Sequence, residues 1–504
     1  MYRNFKLLIV LCSFSYNAFA QDFILNPSSI THPVVASKGM VATQHYLASK
    51  VGEDILSQGG NAYDAAVAVG FALAVVLPRA GNIGGGGFMV MHDAKSNEAF
   101  SIDYREKAPL KASRDMYLND DGSVNSLRST VGYLAIGVPG SVYGMWEVHK
   151  KFGSMEWAEL LQPAIKLASE GFVMSQYMTM TLNSRYKKLS QFPETKDIFY
   201  KDYPIEFNNV LIQADLAQTL TLIAQNGVAG FYEGEVADKI VNAMEKNGGL
   251  ISHRDLKKYR PNWRKPLRSN YKGMNIITMG PPSSGGIHLI QMLNILENYN
   301  LKSFGHNNPR YVALLAEVMK FAYADRSKYL GDPDFYKVPV EELTSKEYAT
   351  AINQKLRLFE FMIPSPLPSS SIEPGEYMRK ESEETTHYSI ADQYGNIISN
   401  TYTLNSAFGS GVTIEGTGIL MNNEMDDFSA SPGTPNQFGL LGGEANKIVP
   451  EKRPLSSMTP TIVLKDGEPY FATGSPGGSR IITSVLQSIL NIVEFEFEVS
   501  DAIL

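Results

Sequence analysis

The sequence predicts an α+β fold, and three observations carry that expectation. Apolar residues recur with helical periodicity through much of residues 43–350, the most strand-like stretch comes late at 387–404, and a Pro- and Ser-rich segment separates the two. The 504 residues suffice for one large layered domain or two ordinary ones. A composition that is 44% hydrophobic and 19% charged is globular, and a net charge of −7 argues against a nucleic-acid partner, which would need a basic face.

The first twenty residues read as an export leader. Arg3 and Lys6 form a basic start, Leu7 to Leu11 an apolar stretch, and Ala18-Phe19-Ala20 a small-x-small cleavage site, leaving Gln21 as the new N-terminus. Leu11 before Cys12 argues against a lipid anchor. Cys12 is the one cysteine, so the mature chain has no disulfide and no thiol chemistry. The longest later apolar run, Ala65 to Leu77, is too short to span a bilayer and stops at Pro78, so it reads as a buried helix. The expectation is a periplasmic or secreted protein with no stable membrane anchor.

A helix from about Thr43 sets Leu47, Val51 and Ile55 on one face and ends at Gly59-Gly60. Asn61 caps the next helix, which is apolar nearly all round and therefore central. Four glycines, Gly84 to Gly87, then lead into a strand at Phe88 to Met91; with no strand before them and no helix after, they are not a dinucleotide loop. Residues 130–350 read as mostly helical, with stripes at Leu216, Leu220, Ile223 and at Val236, Ile240, Met244. Pro281 to Gly286 turns sharply into a helix bearing Leu289, Leu293 and Leu296. Residues 363–384 are a polar connector ending in Glu381, Glu383 and Glu384. His387 to Asp392, a turn at 393–396, and Ile397 to Leu404 then form a hairpin. A polar connector that meets a core strand at Thr385 makes sense if the chain is cut there.

The common hydrolase signals G-x-S-x-G and H-E-x-x-H are absent, as is a P-loop, which disfavours an α/β-hydrolase serine, a zinc site and nucleotide chemistry. What remains is Thr385-Thr386. Once the Glu384–Thr385 bond is broken, Thr385 carries a hydroxyl and a free α-amine, and such an amine titrates near about 7.7 to 8.0. One residue then supplies nucleophile and base, and its branched β-carbon helps hold the two together. A four-residue hairpin loop sets Asp392 against Ile397 and Thr385 against Leu404, with Thr403 and Asn405 as the adjoining neighbours. A slip of one residue would keep one of them close but switch faces. Gly477 and Gly478 open a helix bearing Ile481, Val485 and Ile489; their N–H groups suit an oxyanion hole, and an ordinary turn has the same pattern.

Eight blocks, in order, resemble γ-glutamyltranspeptidases from about Val35 onward. They are Gly81 to Phe88, Asp103 to Glu106, Pro281 to Gly286, Thr385 to Ser389, Thr401 to Asn405, Asn422 to Ser429, Arg453 to Met458, and Ser475 to Arg480. The resemblance implies a four-layer αββα sandwich of the N-terminal-nucleophile hydrolase type. It also implies self-cleavage into a large subunit, residues 21–384, and a small one, residues 385–504, that stay together. By the same resemblance Thr385 is the nucleophile, Thr403 its support, and Gly477 and Gly478 the oxyanion hole. Arg105, helped by Ser456 and Ser457, grips the substrate α-carboxylate; Asn405, Glu424 (Gln in some relatives) and Asp427 surround its α-amino group. A γ-glutamyl group ends in a zwitterion, which needs a fixed cation beside a fixed anion. Without the family, Arg105 and Asp427 would read more readily as structural ion-pair partners. The implied substrate is a glutathione-like γ-glutamyl amide with water or an amino acid as acceptor, and no cofactor or metal is needed.

Two departures accompany the resemblance. Relatives with a lid over the glutamyl pocket often carry Tyr where this chain has Phe438, which can cover the pocket but cannot donate a hydrogen bond. Relatives also continue past Leu504, so the final helix with Ile489, Ile492 and Val493, running into Phe495 and Phe497, is expected to present uncovered apolar surface, and residues 1–504 alone to be poorly soluble, uncut and nearly inactive. Alternatives are a related cephalosporin or glutaryl acylase, and a catalytically dead remnant.

Overall fold

The computed structural model describes residues 33–360 and 385–503; the leader at 1–20 and the connector at 363–384 lie outside the described residues. The strands among them are β1 (Gly39–Ala42), β2 (Gly86–Asp93), β3 (Glu98–Asp103), β4 (Phe172–Val173), β5 (Val210–Leu211), β6 (Asn262–Arg264), β7 (Leu267–Tyr271), β8 (Met274–Thr278), β9 (Thr386–Asp392), β10 (Ile397–Thr403), β11 (Thr413–Ile414), β12 (Ile419–Leu420), β13 (Thr461–Lys465) and β14 (Glu468–Thr473). They build a six-stranded sheet, β1-β9-β10-β2-β3-β6, and a four-stranded sheet, β14-β13-β8-β7, with β4-β5 and β11-β12 as short separate pairs. Every pairing between these strands is antiparallel.

Side-chain alternation sorts the core into the spaces between four layers. On β2, Met89 and Met91 face a cluster shared with the helices Tyr46–Ser57, Ala62–Val76 and Trp157–Glu170, while Phe88 and Val90 face the second sheet. Ile277, Ile462 and Leu464 complete that inter-sheet core. On the far side Ile276 and Val463 join the helices Gly285–Leu296, Pro309–Tyr329 and Ile481–Val493. The order is helix, sheet, sheet, helix, as the resemblance implies.

The central helix begins where the sequence indicates. Asn61 and Asp64 form a reciprocal capping box, and all fifteen residues of Ala62–Val76 are buried. Such a helix has no polar side to offer water, so it is enclosed. Tyr388 of β9 and Tyr402 of β10 donate their hydroxyls to the Ala66 and Gly70 carbonyls, both on this helix, at 2.9 and 2.8 Å. These bonds tie the hairpin to the helix beneath it.

The hairpin forms, but its register differs by one from the four-residue-loop expectation. Ile397 lies opposite Ala391 and Tyr402 opposite Thr386, so by continuation Thr385 stands across from Thr403 instead of Leu404. The loop has three residues: the Asp392 N–H donates to the Asn396 carbonyl, and Gly395 closes the turn at φ +88°, which a side chain would resist. Asp392 makes this turn specific. One carboxylate oxygen accepts from the Tyr394 and Asn396 N–H groups, and the other accepts from the Ala62 N–H at the start of the central helix. β10 is buried along its whole length between β9 and β2, so it is not an edge strand.

Strands β6 to β8 are the main elements missing from the mostly helical reading of residues 130–350. β7 and β8 turn through Lys272 and Gly273, both at positive φ, a two-residue hairpin turn signalled by Lys-Gly in place of the commoner Asn-Gly. The helix Ile481–Val493 is also better covered than expected. Ile489 and Ile492 are buried, and Phe495 and Phe497 stack edge-on against His306, Phe495 also against Tyr311.

Candidate active site

Thr385 is 4% exposed and sits just before β9, at the end of the gap between the two sheets. Its hydroxyl donates to the Thr403 hydroxyl at 3.4 Å, and Thr403 Oγ1 also accepts from the Asn405 N–H at 2.9 Å. Asn405, two residues past the strand, stands at φ +77°, and its side-chain amide donates to the Asn423 carbonyl at 3.0 Å. The glycine run explains how β2 comes so close. A Cβ on Gly85 would lie 2.1 Å from the Thr403 carbonyl oxygen, and one on Gly87 2.4 Å from Tyr402 Cβ. Only glycines permit that approach.

Arg105 follows β3 and is 1% exposed. Its backbone N–H donates to Asp103, its Nε to the Pro454 carbonyl at 3.3 Å, and its own carbonyl accepts from the Tyr259 hydroxyl at 2.9 Å. The guanidinium forms ion pairs with Glu424 and, at 2.5 Å, with Asp427; Glu106 lies 3.8 Å away. Burial pulls Arg105 down, and these carboxylates more than offset it, so it stays firmly cationic. Burial pushes the Glu106 carboxyl up to about 8 against the pull of Arg105, and raises Glu424 well above the carboxylate range. Two buried acids and a partly buried third around one cation cannot all ionise cheaply, and burial holds all three carboxyls above their usual range against the pull of Arg105. Cation and anions meeting at one point complement a ligand that carries both charges on adjacent atoms.

Ser456 and Ser457 are held by the Pro281–Gly286 turn. Ser284 donates to the Ser456 carbonyl through both its backbone N–H and its hydroxyl, each at 2.8 Å, and the Ser456 N–H donates back to the Pro282 carbonyl at 2.9 Å. A cover crosses the pocket at Phe438, which is 6% exposed and packs so closely on Gly478 that a Cβ there would meet its ring at 2.9 Å. Asn436 fixes this segment by donating to Asp427 at 3.2 Å, and the Gln437 N–H donates to Asp426 at 3.1 Å. Phe438 thus lines the pocket with a ring that carries no hydroxyl.

One pocket is lined by Arg105, Thr385, Thr403, Asn405, Glu424, Asp427, Ser456, Ser457 and Gly478, together with Phe438, Leu440, Met458 and Ile481. Gly477 is not among the lining residues; it precedes the turn Gly478–Arg480 that leads into the helix from Ile481. Met458 and Ile481 belong to the inter-sheet core as well, so the pocket floor is continuous with the packed interior. Sequence reading did not single out Leu440, Met458, Ile481 or the acid Glu106 as site residues. Met458 and Glu106 lie inside quoted motifs, which was the available signal.

Asp426 offers a pH test of the cover. Burial raises its carboxyl to about 6 from 3.8, opposed by hydrogen bonds from Ser129 and Gln437. Between those values the folded chain binds the proton more tightly than the unfolded chain, so stability falls as pH rises through that window, by up to about 3 kcal/mol. Asp426→Asn is expected to remove this slope. Urea unfolding of both chains from pH 4 to 7 checks it, and parallel stability curves would contradict the assignment.

Among the described residues, no group of three or more His, Cys, Asp or Glu side chains is arranged to hold a metal ion, and no helix is long and apolar enough to cross a membrane.

The family model described as gamma-glutamyltranspeptidase matches residues 48–504. A glutathione hydrolase proenzyme of Escherichia coli K12 is 49% identical over 475 residues, covering 94% of this chain and 81% of the relative. The crystal structure of Helicobacter pylori gamma-glutamyltranspeptidase superposes with a TM-score of 0.64 at 45% identity, covering 69% of this chain and 100% of that one. A cephalosporin acylase from Bacillus halodurans superposes with a TM-score of 0.78 at 27% identity, over 94% of this chain and 84% of that one.

Proposed function

The chain belongs to the γ-glutamyltranspeptidase family, and from that premise we propose that it cuts itself before Thr385 and uses that residue to transfer γ-glutamyl groups. It is a proenzyme of the glutathione hydrolase type, with an N-terminal threonine as the attacking group and two subunits made from one precursor. In the first step the Thr385 hydroxyl adds to the carbonyl of residue 384, the peptide nitrogen leaves as the α-amine of Thr385, and water opens the resulting ester. In the second, that amine takes the hydroxyl proton while the oxygen attacks the γ-carbonyl of the substrate. Thr403, which accepts the Thr385 hydrogen bond, orients the hydroxyl. The Gly477 and Gly478 N–H groups stabilise the tetrahedral oxyanion. The leaving amine takes a proton, and the γ-glutamyl ester is released to water or to the amine of an acceptor amino acid. Arg105, Ser456 and Ser457 hold the α-carboxylate; Asn405, Glu424 and Asp427 hold the α-ammonium. Export to the periplasm or beyond belongs to the same reading and is supported by the leader pattern of residues 1–20.

The observation that carries this reading is one pocket lined by a threonine at a prospective cut site and by a buried cation bound to two acids. Because the apolar face of the helix Ile481–Val493 is covered, the uncut and nearly inactive chain expected from an uncovered helix gives way to another expectation: purified protein runs as two bands on a denaturing gel, the smaller beginning Thr-Thr-His-Tyr-Ser, and releases p-nitroaniline from its γ-glutamyl anilide. A cut protein that prefers the glutaryl anilide would overturn the γ-glutamyl reading in favour of an acylase.

A further inference from the structure

A second buried arginine stands behind the serine pair. Arg326, on the helix Pro309–Tyr329, is 5% exposed and donates from Nε to the Ser284 hydroxyl at 3.1 Å and from Nη2 to the Ser457 hydroxyl at 3.2 Å. Among the described residues no carboxylate lies within ion-pair distance of it; Tyr323, then Asp427 and Arg105, act on it only through the electrostatic field. Burial holds it below the usual arginine range, yet a guanidinium remains a cation at physiological pH. Arg105 and Arg326, two of the four buried arginines among the described residues, thus differ in kind. Arg105 is matched by acids, whereas the charge of Arg326 is balanced by no direct contact.

The hydrogen bonds have a direction. A guanidinium only donates, and a hydroxyl has one hydrogen and two lone pairs. Ser284 accepts from Arg326 and spends its own hydrogen on the Ser456 carbonyl. Ser457 also accepts from Arg326, but no protein acceptor takes its hydrogen among the described residues, and its side chain lines the pocket.

The geometry points to Arg326 as a positioning residue for the substrate α-carboxylate, orienting Ser457 as a hydrogen-bond donor into the pocket and placing an unneutralised positive charge behind it. This rests on the γ-glutamyl reading above and names the part of the substrate that Arg326 serves. A buried cation without an acid is costly on its own, and an anion arriving in front of Ser457 relieves that cost. The carboxylate end of the pocket therefore has two guanidinium groups, one in contact and one acting through a hydroxyl.

The test compares the wild-type chain with Arg326→Met, Arg326→Lys, Ser457→Ala and the Arg326→Met/Ser457→Ala double variant on two anilides. One carries the γ-glutamyl group; the other carries 4-aminobutyryl, which keeps the amine and lacks the α-carboxylate. For Arg326→Met the KM for the γ-glutamyl anilide is expected to rise roughly tenfold to a hundredfold, with kcat within a few-fold and self-cleavage retained. The kinetics on the 4-aminobutyryl anilide should not change. Arg326→Lys should recover part of the loss, and Arg326→Met should cost less in the Ser457→Ala background than in the wild type. An equal loss on both substrates, or none on either, overturns the proposal. If Arg326→Met fails to fold or cut itself, Arg326→Lys carries the same two-substrate comparison, and the same two outcomes overturn the proposal. A wild-type protein that ignores the γ-glutamyl anilide sinks the underlying reading, an outcome distinct from a wild-type protein that accepts it without depending on Arg326.

Discussion

Thr385→Ala is expected to leave one uncut chain and to lower γ-glutamyl anilide turnover by at least ~10⁴-fold, as loss of a nucleophile does. The variant removes the oxygen that attacks residue 384 and the oxygen that would form the γ-glutamyl ester, so both losses come from one atom. The change in volume is small: the side chain at a strand end loses a methyl group, and with its hydroxyl the 3.4 Å hydrogen bond to Thr403. Thr385→Ser keeps the hydroxyl and the prospective α-amine but loses the β-branch that limits χ1, so it should still cut, more slowly. Denaturing gels and N-terminal sequencing of the small fragment give the readout. Cleavage before residue 385 in the Ala variant would remove Thr385 from the mechanism.

Arg105→Ala and Asp427→Ala are the second large expectation. Each leaves a substrate charge poorly paired in a closed pocket, which costs on the order of 2 to 5 kcal/mol in kcat/KM, roughly thirtyfold to several thousandfold. The two should differ in their effect on the fold. Without Asp427, Arg105 keeps its ion pair with Glu424. Without Arg105, the acids Glu106, Glu424 and Asp427 face one another uncompensated and take up protons, so this variant should be the less stable and lose more stability as pH rises. Self-cleavage serves as the control, because the precursor bond offers no zwitterion for these residues to hold. Near-normal catalytic efficiency in both variants would shift the reading to a glutaryl-type acylase, whose substrate has no α-amino group.

The sequence alone determined whatever depends on near neighbours. The Asn61 cap, the buried helix after it, the strand following four glycines and the hairpin after residue 385 are short-range matters of φ, ψ and periodicity, and each stands in the fold. Motifs also sufficed to collect the pocket: nine of the ten expected site residues line it, and the tenth, Gly477, adjoins one of them. Tertiary structure alone decided who faces whom. The hairpin register turned on a carboxylate at Asp392 that also binds the Ala62 N–H, 330 residues away in the chain, and no local rule contains that bond. Arg105 and Asp427 were legible from the residues as ion-pair partners, but that Glu424 shares the same guanidinium was not, and both contacts join segments more than 300 residues apart. Arg326 carried no sequence signal at all, since a lone arginine on an amphipathic helix is ordinary until the helix is packed against Ser284 and Ser457. The physical reason is common to these cases. Local propensity acts through bonds and the nearest turns, whereas charge pairing and hydroxyl orientation depend on which surfaces the packed layers press together and close to water.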